Sequence, residues 1–363
     1  MNIFRERSVF LTGHTGFKGS WLALWLHTLG AKIHGYSLAP ESPNLFEEAC
    51  VAETLASHTI ADVRDAAALR CALQTAKPEI IFHLAAQSLV RRSYREPRQT
   101  FETNVLGVVN LLDAVRQLET VRVVQVITSD KCYDNADTTP RRETDPLGGL
   151  DPYSSSKACA ELVTAAYRNS FFNHVSLATA RAGNVIGGGD WAEDRIVPDC
   201  IRALEKGESI LVRNPNAIRP WQHVLEPLAG YLLLAAHQWT NDHNFSTAFN
   251  FGPTVASHIS VREIIERIIA VWGNGKWHTT SSFGPGAPPG NAVVCDQKEA
   301  ATLRLDMTKA ATLLHWHPRY TIDQAITETL RWYKARHSPH FNTRDLCLAQ
   351  IADYQRQAEY FHV

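Results

Sequence analysis

The amino-acid sequence predicts an α/β fold: a doubly wound parallel sheet with a smaller domain interleaved at its C-terminal side. Short apolar, β-branched runs alternate with helical patterns through the first half of the chain, as the strands and crossover helices of a parallel sheet do. A glycine-rich turn joins the first run to the first helical pattern. Beyond Arg181 the alternation gives way to glycine-rich and irregular stretches, which marks a second unit. With 363 residues, 45% of them hydrophobic, the chain is long enough for about two domains.

The first strand is Ser8–Thr12, ended by Gly13. A helical pattern rich in Leu and Trp follows from Gly16 to Leu29, where Gly30 stops it. Trp21 and Trp25 fall on helical spacing and read as core. Lys32–Ser37 and His58–Ala61 fit the second and third strands, and Asp65–Ala76 reads as a helix. Glu79–His83 is the fourth strand and Val121–Thr128 the fifth, with long helices at Pro97–Leu118 and Tyr153–Phe171 and a strand near Val175–Arg181. Past the glycine-rich stretch GNVIGGGDW, Ile218–His223 reads as extended, and helices at Glu226–Trp239 and Val261–Val271 flank the Gly/Pro loop Ser281–Asn291. The expected division is residues 1–182 for the sheet domain, with a return segment near 220–258. Residues 183–340 form mainly the second domain, and 341–363 a polar tail with at most a surface helix.

Thirty-six basic residues against thirty-seven acidic ones leave a formal charge of −1, with no basic stripe to favour nucleic acid. An anionic small molecule must therefore be held by a few placed arginines. Seven scattered cysteines without a CxxC pair point to reduced thiols. The start, MNIFRERSVFLTG, lacks the apolar region of a signal peptide, and no apolar run approaches a membrane span. A cytoplasmic protein is expected. The histidines of HWH (His315, His317) and the pair His337 and His340 have metal-like spacing but no acid or cysteine companions in a recognised pattern, so no metal is assigned.

Gly13-His14-Thr15-Gly16-Phe17-Lys18-Gly19 sits between the first strand and the first helix. Such a turn lets backbone N–H groups approach a pyrophosphate at the positive end of the helix, so a dinucleotide cofactor and a Rossmann-type sheet are expected. The spacing is GxxGxxG, not GxGxxG. The second strand ends without the acid that grips an adenosine ribose and without a nearby Arg for a 2′-phosphate, which leaves NAD against NADP open on residues alone. Asp62-Val63, after the third strand, is placed to meet the adenine edge. Leu84-Ala85-Ala86, small residues after the fourth strand, suit close passage of the cofactor.

Tyr153 and Lys157 stand one helical turn apart on one face. An ammonium beside a phenol lowers the phenol's pKa, so the tyrosinate takes a proton from a sugar hydroxyl as hydride leaves the carbon.

GxxGxxG, HLAA, a Ser or Thr after the fifth strand (Thr128, Ser129) and YxxxK together resemble the extended short-chain dehydrogenase/reductase superfamily over nearly the whole chain. GHTGFKGSWL, TSDKCYDN at Thr128–Asn135, RAGNVIGGGDW with DRIVPD at Arg181–Asp199, and RPWQHV at Arg219–Val224 resemble the CDP-glucose 4,6-dehydratases within it. The resemblance implies bound NAD, a CDP-glucose substrate and a 4-keto-6-deoxy product. Oxidation at C4 acidifies the C5 hydrogen, a base removes it as an acid protonates the departing C6 hydroxyl, and hydride returns to C6. Related dTDP-glucose dehydratases carry Asp-Glu where this chain has Asp130-Lys131. Asp130 is then the acid and Lys131 the base, although free lysine titrates near ~10.4 and must be made to lose its proton. Ser129, Tyr153 and Lys157 complete the expected catalytic set.

Arg195, Arg213 and Arg219 are expected near the substrate diphosphate, Arg219 foremost, with Asn184 on a phosphate or the sugar, Trp191 on the base or the site wall, and Ser88 beside the glucose. A 4-epimerase shares the Tyr–Lys step but needs no acid–base pair such as Asp130-Lys131, which counts against that reading. A non-catalytic nucleotide-binding protein has no need of Ser129, Tyr153 and Lys157. The Pro97–Leu118 helix is apolar around much of its circumference (Phe101, Val105, Val108, Val109, Leu111, Leu112). Similar enzymes pair this helix and the YxxxK helix across a two-fold axis, which implies a homodimer, with a tetramer as the larger alternative.

Overall fold

A computed structural model describes residues 2–134, 139–240, 242–279, 304–338 and 341–358. The loop Ser281–Asn291 and His340, anticipated from the sequence, lie outside them. The core is a seven-stranded sheet. Six of its strands are β1 (Ser8–Thr12), β2 (Lys32–Ser37), β3 (Ser57–Ile60), β4 (Ile80–His83), β5 (Val123–Ile127) and β6 (Ser176–Arg181). The spatial order is Ala248–Asn250, β6, β5, β4, β1, β2, β3. Every neighbouring pair is parallel, for example Val9 beside Ile33 on one side and Ile80 on the other. β4, β5 and β6 are buried along their whole length, as expected where helices cover both faces. The chain winds outward from β1 to β3, then crosses back to β4 and winds the other way. The ends of β1 and β4 therefore flank the switch point where ligands of such sheets bind.

Trp21 and Trp25, on the Phe17–Thr28 helix, are fully buried, as their spacing predicts. The expected Pro97–Leu118 helix is three consecutive segments: α-helices Pro97–Phe101 and Gly107–Val115 with a π turn at Glu102–Leu106 between them. The extra residue per turn presents Asn104 to the interior.

Past β6 the strands become very short. Val185–Ile186 pairs with Gln222–His223, Ile218–Pro220 with His258–Ser260, and Ile210–Val212 with Trp277–Thr279. Two elements return to the main sheet. The Leu225–Thr240 helix lies over β5, where the Gln125 amide donates to the carbonyl of Tyr231 at 2.9 Å, and Ala248–Asn250 joins β6.

The tail departs from expectation. Thr343–Gln357 is a helix whose Cys347, Gln350, Ile351 and Tyr354 are buried. Tyr354 packs edge-on against Trp25 and donates its hydroxyl to Glu226 at 2.6 Å. Apolar residues at i, i+4 and i+7 give this otherwise polar helix one docking face.

Candidate active site

Gly13 leaves β1 with φ +76°, and a Cβ there would lie 2.7 Å from the backbone N of Ala85, so only glycine fits between the ends of β1 and β4. The first helix begins after Gly16, which is extended and offers no capping side chain, so its opening N–H groups face an anion without competition. These two features fit a dinucleotide pyrophosphate. Leu84, Ala85 and Ala86 are half-buried at the opposite lip. The Ala85 N–H donates to Thr12 Oγ1 at 3.1 Å, which ties the two lips together.

The other residues of the motif do different work. Thr15 donates to the carbonyl of Leu38 at 2.9 Å and bonds Ser37 Oγ at 2.7 Å, fastening the loop to the end of β2. His14 is buried against Phe46 and His58, and burial brings its imidazole down to about 4, so it stays neutral. Phe17 faces Gly187, in the glycine-rich stretch after β6. Lys18 donates to the Tyr231 hydroxyl at 3.0 Å, and burial, with the charges of Lys157 and Arg195, brings it to about 7. The Asp62 carboxylate is taken by Arg64 at 2.6 and 2.9 Å, while the Val63 side chain belongs to the core. For His14 and Val63, only the backbone is left to meet a cofactor.

After β5 the chain makes the tight turn Asp130–Cys132, capped by Ser129, whose Oγ accepts the Lys131 N–H at 3.2 Å. Asp130 is buried. One carboxylate oxygen accepts the Ser129 hydroxyl at 2.9 Å and the other the Asn184 amide at 3.2 Å. A Cβ at Gly183 would stand 2.0 Å from this carboxylate, so glycine is what admits Asp130. Lys131 is half-buried at the edge of the same turn.

Tyr153 opens the Pro152–Phe171 helix, whose N-terminus is capped by Asp151 accepting from the Ser154 N–H at 2.9 Å. The Tyr153 phenol lies close to Ser129, whose hydroxyl is already given to the Asp130 carboxylate. Burial pushes Tyr153 up to about 12, against the pull of Ser129. The cation that draws the phenol down is Arg195 rather than the expected Lys157. The Lys157 ammonium donates to the carbonyl of Ile127 at 3.1 Å, and its own burial, opposed by Glu161, lowers it to about 8.

Two supports escaped the sequence reading. Thr128, expected beside the cofactor, donates its hydroxyl to Glu161 at 2.5 Å. Glu161 lies one turn beyond Lys157 and also holds Thr179 and Arg181, each at 2.7 Å, in a buried ion pair. Arg181 continues to the Tyr133 hydroxyl at 2.6 Å, which donates to Asn250 at 2.7 Å. Asn104, at the π turn, accepts the Gln87 N–H at 2.8 Å and donates to Ser156 at 2.8 Å, joining the end of β4 to the Tyr153 helix. Glu161 was readable as a charge four residues after Lys157, whereas Asn104 left no local signal.

The expected substrate residues separate. Arg195 donates to Ser88 at 3.0 Å and to Asp190 at 2.9 Å across the mouth of the site, and its charge bears on Tyr153. Asn184 holds Asp130 from a left-handed backbone, φ +50°. Arg213 pairs with Asp194 at 2.8 Å. Arg219 is buried in its strand, donating to the Ile218 carbonyl at 2.9 Å. Trp191 packs on Trp332 and Tyr333 with the Arg336 guanidinium 4.5 Å over its ring, as part of the wall.

A doubly wound parallel sheet, a glycine loop at its switch point and Ser129, Tyr153 and Lys157 gathered at the end of β5 define an extended short-chain dehydrogenase/reductase. Within that class the chain belongs to the GDP-mannose 4,6 dehydratase family, whose sequence profile matches residues 10–329. It is 46% identical over 344 residues to the CDP-glucose 4,6-dehydratase of Salmonella typhimurium, covering 92% of each chain. It is 24% identical over 289 residues to a UDP-glucose 4-epimerase of Lactobacillus helveticus, covering 76% of this chain and 82% of that one. The fold matches the crystal structure of a dTDP-glucose 4,6-dehydratase of Bacillus anthracis in complex with NAD, with TM-score 0.74 and 20% identity over 91% of this chain and 97% of that one. No helix among the described residues is long and apolar enough to cross a membrane.

Proposed function

We propose that this protein converts CDP-glucose into CDP-4-keto-6-deoxyglucose with NAD held on the glycine loop. The observation that carries the reading is the buried Asp130 carboxylate, held by Ser129 and Asn184 close to Tyr153, with Lys131 on the same turn. An oxidoreductase that stops at C4, or an epimerase, requires the tyrosine alone. An acid beside it, fixed by Asn184, serves an elimination.

The cofactor, when bound, supplies hydride acceptance at C4 and hydride return at C6. Gly13, Gly16, Phe17, Lys18 and Gly19 would hold its pyrophosphate, with Leu84, Ala85 and Ala86 beside it and Lys157 toward the ribose. Tyr153, as the tyrosinate, accepts the proton of the C4 hydroxyl. Lys131 removes the C5 proton and Asp130 protonates the leaving C6 hydroxyl, so water departs. The placement of Tyr153, raised to about 12, favours its neutral form, and the positive charge of a bound nicotinamide acts against that rise. Ser88 and Arg195 border the sugar and the phosphates, with Arg219 deeper in the second domain.

Residues 1–182 with the returning helix and strand serve the cofactor, and residues 183–340 mainly the nucleotide sugar. Phe101 and Leu106 on the π-turn helix and Leu162 on the Tyr153 helix, which packs side by side with it, are exposed large apolar side chains, and they support a homodimer. A cytoplasmic location accords with the six described cysteines, all unpaired. Purified protein incubated with NAD⁺ and CDP-, dTDP-, UDP- and GDP-linked hexoses in turn is expected to remove one water from CDP-glucose far faster than from the others. Isomerisation without water loss favours the epimerase.

A further inference from the structure

Beside the arginine that meets Ser88 stands a second charge cluster. Asp194, in the loop before the Ile196–Glu205 helix, accepts on one oxygen from Arg91 at 3.2 Å and from Arg213 at 2.8 Å. The two guanidiniums come from distant parts of the chain. Arg91 lies on the Val90–Arg95 helix after β4, and Arg213 follows the strand Ile210–Val212. Asp194 reaches between them from a left-handed backbone, φ +61°, a conformation that L residues adopt sparingly. Its neighbour Arg195 turns the other way, to Ser88 and Asp190. The cluster is therefore one residue outward from a guanidinium that already borders the reaction centre. Its side chains are partly open to water, 41% for each arginine and 25% for Asp194.

A guanidinium fork receives a carboxylate and a phosphate with the same geometry. Arg91, Arg195 and Arg213 pair with only two carboxylates, Asp190 and Asp194, and Asp194 alone is shared by two guanidiniums. A diphosphate brings more oxygens and more charge than Asp194 does, and can satisfy both outer forks where a single carboxylate oxygen is now shared.

We propose that Asp194 is a placeholder for a phosphate: it holds Arg91 and Arg213 together, and the diphosphate of the nucleotide sugar displaces its carboxylate and takes over both guanidiniums. The identity of the ligand rests on the nucleotide-sugar reading above; the placeholder itself rests on the cluster. Arg91 thereby becomes a specificity residue for a diphosphate over a monophosphate, and Asp194 sets the affinity by competing for the same forks.

The test is calorimetric titration of CDP and CMP into the whole protein at fixed salt, for wild type, Asp194→Asn and Arg91→Gln. Asp194→Asn is expected to bind CDP about three- to tenfold more tightly, with a smaller change for CMP, because the competing charge is gone. Arg91→Gln is expected to weaken CDP by about tenfold and CMP by less. The proposal is overturned if Asp194→Asn binds CDP equally or more weakly, which would make Asp194 a permanent support, or if Arg91→Gln leaves CDP unchanged. Both positions are partly exposed, and thermal melting checks that the variants fold. Wild type that binds neither nucleotide contradicts the nucleotide-sugar reading itself; wild type that binds CDP while both variants match it contradicts the placeholder alone.

Discussion

Asp130 is held from two sides, by the Ser129 hydroxyl and the Asn184 amide, in a space that only Gly183 leaves open. An acid that must deliver a proton to one oxygen gains from such fixed geometry. Asn184 has φ +50°, so alanine there would add backbone strain to the loss of the amide, whereas glycine removes the amide alone. Asn184→Gly is expected to lower kcat by about 10- to 100-fold with little change in KM. Equal rates in steady-state assays would remove Asn184 from the proton-transfer geometry. The motifs made Ser129, Asp130, Lys131, Tyr153 and Lys157 legible because each stands at a fixed offset from a strand end or a helix turn. The partners of Asp194 and Glu161 were not legible, because Arg91 and Arg181 reach them from remote segments that no local spacing encodes.

At the scale of elements, six of the seven strands of the sheet and the long helices between them could be read to within one to three residues, since apolar runs and glycine stops mark them directly, whereas the three-residue edge strand Ala248–Asn250 could not. The π turn at Glu102–Leu106 could not, because one added residue leaves the apolar pattern intact. The C-terminal helix was readable from Cys347, Ile351 and Tyr354 but is disguised by its charged outer face. Its docking depends on Glu226, buried in the Leu225–Thr240 helix, which accepts the Arg319 and Tyr320 N–H groups at 2.9 and 2.6 Å and the Tyr354 hydroxyl. Burial raises Glu226 to about 7 in spite of these donors. A carboxyl raised in the folded state stabilises most below its ordinary value of 4.5, and that contribution is lost as pH climbs through about 7. Wild type should therefore lose roughly 1 to 3 kcal/mol relative to Glu226→Gln between about pH 5 and 8. Denaturant melts at the two pH values measure this, and parallel curves for the two proteins would mean that Glu226 ionises without cost.

Across the whole molecule, the cofactor loop, the acid turn and the Tyr153 helix come from the sheet, and the returning Leu225–Thr240 helix closes the site from behind through Lys18 and Tyr231. The smaller unit was only coarsely legible, because pairs such as Val185–Ile186 with Gln222–His223 are two residues long and carry no period. The exposed Phe101, Leu106 and Leu162 predict a dimer buried across these helices. Leu162 is 59% exposed, so Leu162→Glu should convert the proposed dimer to monomer in sedimentation velocity without unfolding it. An unchanged sedimentation coefficient would place the partner surface elsewhere.

The most direct test of the chemistry is the reaction of CDP-glucose carrying deuterium at C4, run in ordinary water and read by mass spectrometry and NMR. Elimination driven by Asp130 and Lys131 predicts a 4-keto-6-deoxy product that has lost one water, with the deuterium moved to C6 and a solvent hydrogen at C5. CDP-galactose with deuterium still at C4 and no loss of water would contradict the account.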